Sequence, residues 1–125
     1  EGEPRETVEA EIDDGGAAIE AAAGAPAPFY RPPGGSLGEV IYEVAAEHDQ
    51  AVLYWSIDPL DWQKPPPEQI IATVVGALGP GGIILLHDGG GDRTATVAAL
   101  PKIIDFAKAL GYTFTAPISN RPQVG

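Results

Sequence analysis

Ile83-Ile84-Leu85-Leu86-His87-Asp88-Gly89-Gly90-Gly91 decides how the chain is read. Four large apolar residues in a row are expected of a strand covered on both faces. The run then breaks into an imidazole, a carboxylate and three glycines. Helical patterns stand on either side. Pro67 opens a helix with Ile70, Ile71, Val74, Val75 and Leu78 inward, and Gly79-Pro80-Gly81-Gly82 stops it. Thr94 to Leu110 reads as a second helix with Val97, Leu100, Ile103, Ile104 and Ala107 inward, ending at Gly111. Tyr112-Thr113-Phe114-Thr115 follows as an expected strand.

The same alternation extends toward the N-terminus. Thr7 to Ala23 reads as a helix with Val8, Ile12 and Ile19 on its apolar side, and Gly24 to Pro28 closes it. Phe29-Tyr30 is expected as a short strand running into the rigid loop Arg31-Pro32-Pro33-Gly34-Gly35. Ser36 is a candidate N-cap for a helix over Leu37 to Glu47, with Val40, Ile41, Val44 and Ala45 inward. Ala51-Val52-Leu53-Tyr54-Trp55 reads as another covered strand, followed by a long loop from Ser56 to Pro67. Strands that alternate with amphipathic helices imply an α/β fold of parallel strands joined by crossovers. Four strands do not close a barrel, so the pattern describes a small open sheet or part of a barrel.

Composition narrows the function. The chain has 125 residues, 18 acidic against 7 basic, and a net charge of -11. Phosphate backbones and anionic bilayers attract Lys and Arg, so this balance speaks against nucleic acid and against membrane surfaces. No apolar run reaches the roughly 18 residues of a membrane span. With no Cys, disulfides and thiolate metal sites are excluded. Glu1-Gly2-Glu3-Pro4 has neither the basic nor the apolar region of a signal peptide, and Met is absent throughout, so a processed or excised piece is expected.

The chemistry-bearing residues gather after strands. Arg31 follows the first, Asp58 and Asp61 the second, His87 and Asp88 the third. In parallel α/β folds the C-terminal strand ends lie on one rim, where active sites form. Arg31, Asp61 and His87 are therefore expected to converge. A histidine after an apolar strand, held by a carboxylate, is the arrangement of a general acid that protonates a leaving amine; a capped strand-end histidine is the plain alternative. Asp58-Pro59-Leu60-Asp61-Trp62 reads equally as an Asx-turn loop. Gly34 and Gly35 permit close backbone approach, and a bare N–H there is a candidate oxyanion donor. His48, beside Glu47 and Asp49, reads as a solvated surface residue.

Taken together, Arg31-Pro32-Pro33-Gly34-Gly35, Asp58-Pro59-Leu60-Asp61-Trp62 and Leu85-Leu86-His87-Asp88 resemble, in order, the third, fourth and fifth motifs of the polysaccharide deacetylase (NodB-homology) family. The resemblance runs from Thr7 to roughly Pro117. It implies the C-terminal part of a distorted (β/α)7-type barrel over residues 1–118, with 119–125 as a tail or linker. It further implies a metal-dependent hydrolase that removes acetyl groups from N-acetylated polysaccharide such as peptidoglycan or chitin-like chains. His87 matches the general acid, Asp61 the carboxylate that holds it, and Arg31 the residue that orients the base. Gly34 stands where the family commonly has Tyr and keeps the oxyanion-binding N–H. Trp62, Leu85 and Tyr30 match substrate-binding positions.

The family's first two motifs, of the Thr-Phe-Asp-Asp-Gly-Pro and His-x-x-x-His types, have no counterpart here. Asp13-Asp14-Gly15-Gly16 is rejected as the first because it lies inside a helical pattern. By resemblance, no metal ligand lies in this chain. A divalent metal, zinc being the expected ion, would be held by an N-terminal half of the same domain acting as partner. Extracellular or cell-envelope action on an acetylated glycan is the location the resemblance implies. An inert carbohydrate-binding or scaffold segment, and an O-acetyl xylan esterase, are the competing readings.

Overall fold

The computed structural model describes residues 2–36 and 38–117. The expected tail at 119–125 lies outside the described residues. The chain divides into two compact units, one running to Tyr54 together with Pro117, the other spanning Trp55–Ala116.

In the first unit, helix α1 (Arg5–Ala23) packs on α2 (Glu39–Glu47). Only Val8 and Ile12 of α1 are buried, one turn apart on the same face, and they meet Ile41, Val44 and Ala45 of α2. Ile19, expected inward, is half exposed. Gly24 ends α1 in the left-handed conformation (φ 76°) and donates its N–H to Glu20 O at 2.8 Å, as a C-terminal glycine does. Asp13–Gly16 are helical, in keeping with their rejection as a catalytic motif. On the helical surface Arg5 reaches Glu9, Glu43 and Glu47, tying α1 to α2. Strands β1 (Phe29–Tyr30) and β2 (Ala51–Val52) pair in parallel, Phe29 opposite Ala51. The ladder continues for one bond past β2, from Leu53 N–H to Tyr30 O at 2.8 Å. Helix α2 begins at Glu39 after an extended Gly38, so Ser36 is not its cap.

In the second unit, α3 (Pro67–Ala77) packs against α4 (Thr94–Ala109). Their shared core is Ile57, Ile70, Val74, Ala99 and Ile103, with Ile84 and Leu86 against it. The expected strand at 83–86 is real in placement but short in pairing: a single parallel bridge joins Ile84 to Ile57. Leu85 N–H donates to Ile57 O at 2.9 Å. Tyr112–Thr115, expected as a strand, is not one among the described residues. A strand needs a ladder partner as well as an apolar run, and none among the described residues pairs with this segment.

Helix α4 buries Ile103 and Ala107 as expected, but its inward face is rotated away from Val97 and Leu100. Thr96, Ala99, Ile103 and Ala107 are buried, while Val97 and Leu100 are 60% and 43% exposed. The apolar residues of α4 cover much of its circumference, so hydrophobicity alone leaves its rotation open. The small alanines let α4 and α3 come close. Among the described residues the structure is thus α/β with parallel pairing, and the barrel is not visible in it.

Candidate active site

Asp61 sits in a short turn, Asp61–Gln63, bracketed by left-handed residues: Leu60 (φ 52°) before it and Lys64 (φ 60°) after it. That conformation is costly for side chains with a Cβ, and it persists only where surroundings hold it. Part of the hold is visible. Asp58 Oδ1 accepts the Leu60 N–H at 2.9 Å, forming the Asx turn, and Pro59 is buried beneath it. The turn therefore drives Asp61 inward, to 1% exposure, and leaves Trp62 at 51% on the surface.

The Asp61 carboxylate is met by three donors. His87 Nδ1 lies 2.7 Å from Oδ1. The His87 backbone N–H and the Thr96 hydroxyl both donate to Oδ2 at 2.8 Å. Burial pushes the carboxyl pKa up, but these hydrogen bonds and the imidazole beside it outweigh burial and hold it below the ordinary range. His87 keeps a third of its side chain exposed. With Nδ1 engaged by Asp61, Nε2 is the nitrogen left to meet a ligand. A buried anion gripping one side of a partly exposed imidazole is the geometry of a proton donor or acceptor with a fixed ring.

Neighbouring loops are pinned to the same turn. Arg93 donates through Nε to Gly89 O at 2.9 Å and through Nη1 to Trp62 O at 3.3 Å, linking the glycine loop after His87 to the turn carrying Asp61 and Trp62. Asp92 Oδ1 accepts both the N–H and the hydroxyl of Thr94, an Asx turn just ahead of α4. Leu85 is half-buried two residues before His87.

Arg31, Gly34 and Tyr30 belong to the first unit. Arg31 is exposed beside a fully buried Pro32. The ion pairs among the described residues involve Arg5, His48 and His87, not Arg31. Gly34 is left-handed (φ 65°) within the tight turn Pro33–Gly35. The turn is braced by Tyr54, whose hydroxyl donates to Gly35 O at 2.6 Å. Tyr30 packs against the α1–α2 core, and its hydroxyl donates to Glu11 Oε2 at 3.4 Å. Burial, then the Glu11 charge, pushes its phenol up. His48 pairs with Asp13 on the surface at 3.3 Å. Of Arg31, Asp61 and His87, the three residues expected to converge, the hydrogen bonds described here join Asp61 and His87.

Two contributors escaped the sequence reading, Thr96 and Arg93. Threonine at the start of an apolar helix looks like a weak helix former, and its role shows only once the helix phase is known. Among the described residues no group of three or more His, Cys, Asp or Glu side chains comes together as metal ligands. The described residues here offer no ligand set that fits such an ion.

Here a buried carboxylate holds a partly exposed histidine at the end of an apolar segment in an α/β arrangement. Comparison with known proteins gives the family. No family model matches the chain. A peptidoglycan-N-acetylglucosamine deacetylase of Bacillus cereus is 47% identical over 88 residues, covering 69% of this chain and 41% of the relative. A chitooligosaccharide deacetylase of Bradyrhizobium is 38% identical over 71 residues, covering 54% of this chain and 32% of the relative. Among solved structures, a peptidoglycan N-acetylglucosamine deacetylase superposes with a TM-score of 0.85 at 30% identity, over 90% of this chain and 53% of that one. A family 4 carbohydrate esterase pseudoenzyme from Bacillus anthracis superposes at 0.81 with 25% identity, over 88% of this chain and 38% of that one. The chain belongs to the polysaccharide deacetylase (NodB-homology, carbohydrate esterase 4) family and matches the C-terminal portion of its catalytic domain. It spans less than half the length of these curated relatives.

Proposed function

We propose that this chain supplies the leaving-group half of a metal-dependent deacetylase acting on N-acetylated polysaccharide, of the peptidoglycan or chitin-like kind. The observation that carries the reading is the buried Asp61 carboxylate fixed 2.7 Å from His87 Nδ1. With its ring held this way, His87 gives a proton from Nε2 to the amine nitrogen as the amide C–N bond breaks. Asp61 keeps Nδ1 protonated and offsets the ring charge through the step. Trp62 offers an exposed aromatic face to a sugar, and Leu85 and Tyr30 complete the apolar contacts to the acetyl-bearing unit. Gly34 offers a backbone N–H to the oxyanion, and Arg31 orients the base.

The base and the divalent ion, zinc being expected, come in this reading from an N-terminal segment of the same barrel. That segment carries the Asp-Asp and His-x-x-x-His motifs. Action is at the cell envelope or outside the cell, where such glycans lie.

The test is acetate release. This chain is produced together with such an N-terminal segment and given N-acetylglucosamine oligomers, peptidoglycan and acetylated xylan. Release from the amide substrates that His87→Ala abolishes supports the reading. Preferential release from xylan moves the site to ester hydrolysis. The likeness to a pseudoenzyme favours a second reading, a glycan-binding segment without turnover. Tight binding of the oligomers with no acetate release, metal being present, selects it.

A further inference from the structure

The Asp61–His87 pair has a third member on another element. Thr96 lies in the first turn of α4, is 5% exposed, and directs its hydroxyl at the same carboxylate. A carboxylate can rotate about its Cβ–Cγ bond, and with one oxygen loosely held it offers either oxygen to the ring at varying angles. Here Oδ2 is taken twice, by the His87 N–H and the Thr96 hydroxyl, both at 2.8 Å. Oδ1 is left for the ring nitrogen alone. The two Oδ2 donors come from different places, one from the strand end that carries the histidine and one from a helix packed on α3. Together they fix the carboxylate plane.

The choice of side chain at 96 supports this. Its neighbours on the buried face of α4 are Ala99, Ile103 and Ala107, which pack without polar groups. Threonine is a poor helix former, and a buried hydroxyl is costly unless bonded. Valine has the same shape and would serve packing alone. A hydroxyl is required only by the oxygen it meets.

We propose that Thr96 is a positioning residue for this site, its buried hydroxyl locking the Asp61 carboxylate so that Oδ1 fixes the tautomer and orientation of His87. The catalytic consequence rests on the deacetylase reading above; the positioning does not.

Nitrogen NMR of His87 in the full chain tests the positioning without activity. In wild type the neutral ring carries its proton on Nδ1, against the ordinary preference of free imidazole. Thr96→Val shifts the neutral ring measurably toward the Nε2–H form, and carbon NMR shows the Asp61 carboxyl titrating higher than in wild type. Thr96→Ser restores both. A wild-type ring protonated on Nε2 overturns the proposal without any variant. So does a folded Thr96→Val chain with an unchanged tautomer and carboxyl titration. In the assembled enzyme Thr96→Val lowers kcat about tenfold or more with KM little changed, in line with loss of part of a general-acid effect, and Thr96→Ser recovers it. A shifted tautomer in a protein whose wild type releases no acetate removes the deacetylase reading and leaves the positioning standing. A shifted tautomer with wild-type kcat removes its catalytic consequence.

Discussion

Asp61 holds His87 at two points: Oδ1 lies 2.7 Å from the ring Nδ1, and Oδ2 accepts the backbone N–H of the same histidine at 2.8 Å. A side chain that binds both the ring and the main chain of one residue fixes that residue's rotamer as well as its position. The grip also ties a loop turn to a strand end 26 residues away in sequence.

Replacement of His87 by alanine removes the proton donor and leaves the Thr96 bond to Asp61 in place. In the assembled enzyme turnover is expected to fall by a factor on the order of a hundred or more, the usual scale of general-acid catalysis. Steady-state acetate release checks it, and a circular dichroism melt confirms the fold. Turnover within a few-fold of wild type removes His87 from the mechanism.

Asp61→Asn replaces an acceptor of three hydrogen bonds with a group that accepts at only one of its two ends. Set against the donors already there, its amide costs about 2 kcal/mol at neutral pH. The same pair of proteins exposes a pH dependence. The folded Asp61 carboxyl lies below its ordinary range, so as pH falls the unfolded chain takes up its proton first. The contribution of Asp61 is therefore complete above the unfolded carboxyl's pKa of about 3.9 and is lost as pH drops through the lower folded value. Urea titrations of both proteins at successive pH values should show a constant gap above about pH 5 that narrows in acid. A gap that widens in acid contradicts the assigned direction.

Gly34 occupies a left-handed conformation, and a Cβ built there would meet nothing within 4 Å. The cost of Gly34→Ala is thus backbone strain rather than collision, about 1–2 kcal/mol. Gly34→Asn, which tolerates this region better, should cost less. Thermal or urea unfolding of the two variants gives the order, and equal losses would argue against a conformational cause.

Trp62 is half exposed, and its carbonyl accepts a hydrogen bond from Arg93. Trp62→Ala should change stability by no more than about 0.5 kcal/mol, as for most surface substitutions. It should raise KM for acetylated oligomers several-fold, with a smaller effect on kcat. An unchanged KM would take the indole out of the substrate contacts.

The apolar runs, the glycine and proline stops and the order of polar clusters were legible because each depends on residues near in sequence. They placed α1 to α4 within a few residues and brought Asp61 and His87 forward as partners. The failures share a cause. Ile83–Leu86 and Tyr112–Thr115 both carry strand composition, but only the first finds a bridge, since pairing depends on a neighbour and not on the segment itself. Of the expected inward residues of α4, Ile103 and Ala107 are buried but Val97 and Leu100 are not, because a helix apolar over most of its circumference can pack on more than one face and the contact with α3 selects Thr96 and Ala99 instead.

By itself, then, the sequence determined the alternation of helices with covered strands and the residue types available for acid chemistry at their ends, because short-range sterics and hydrophobic period set both. Tertiary structure alone decided that Thr96 and Arg93 join the site. Hydrogen-bond partners 31 and 35 residues distant are chosen by how helices pack, and that choice leaves no local mark on the chain.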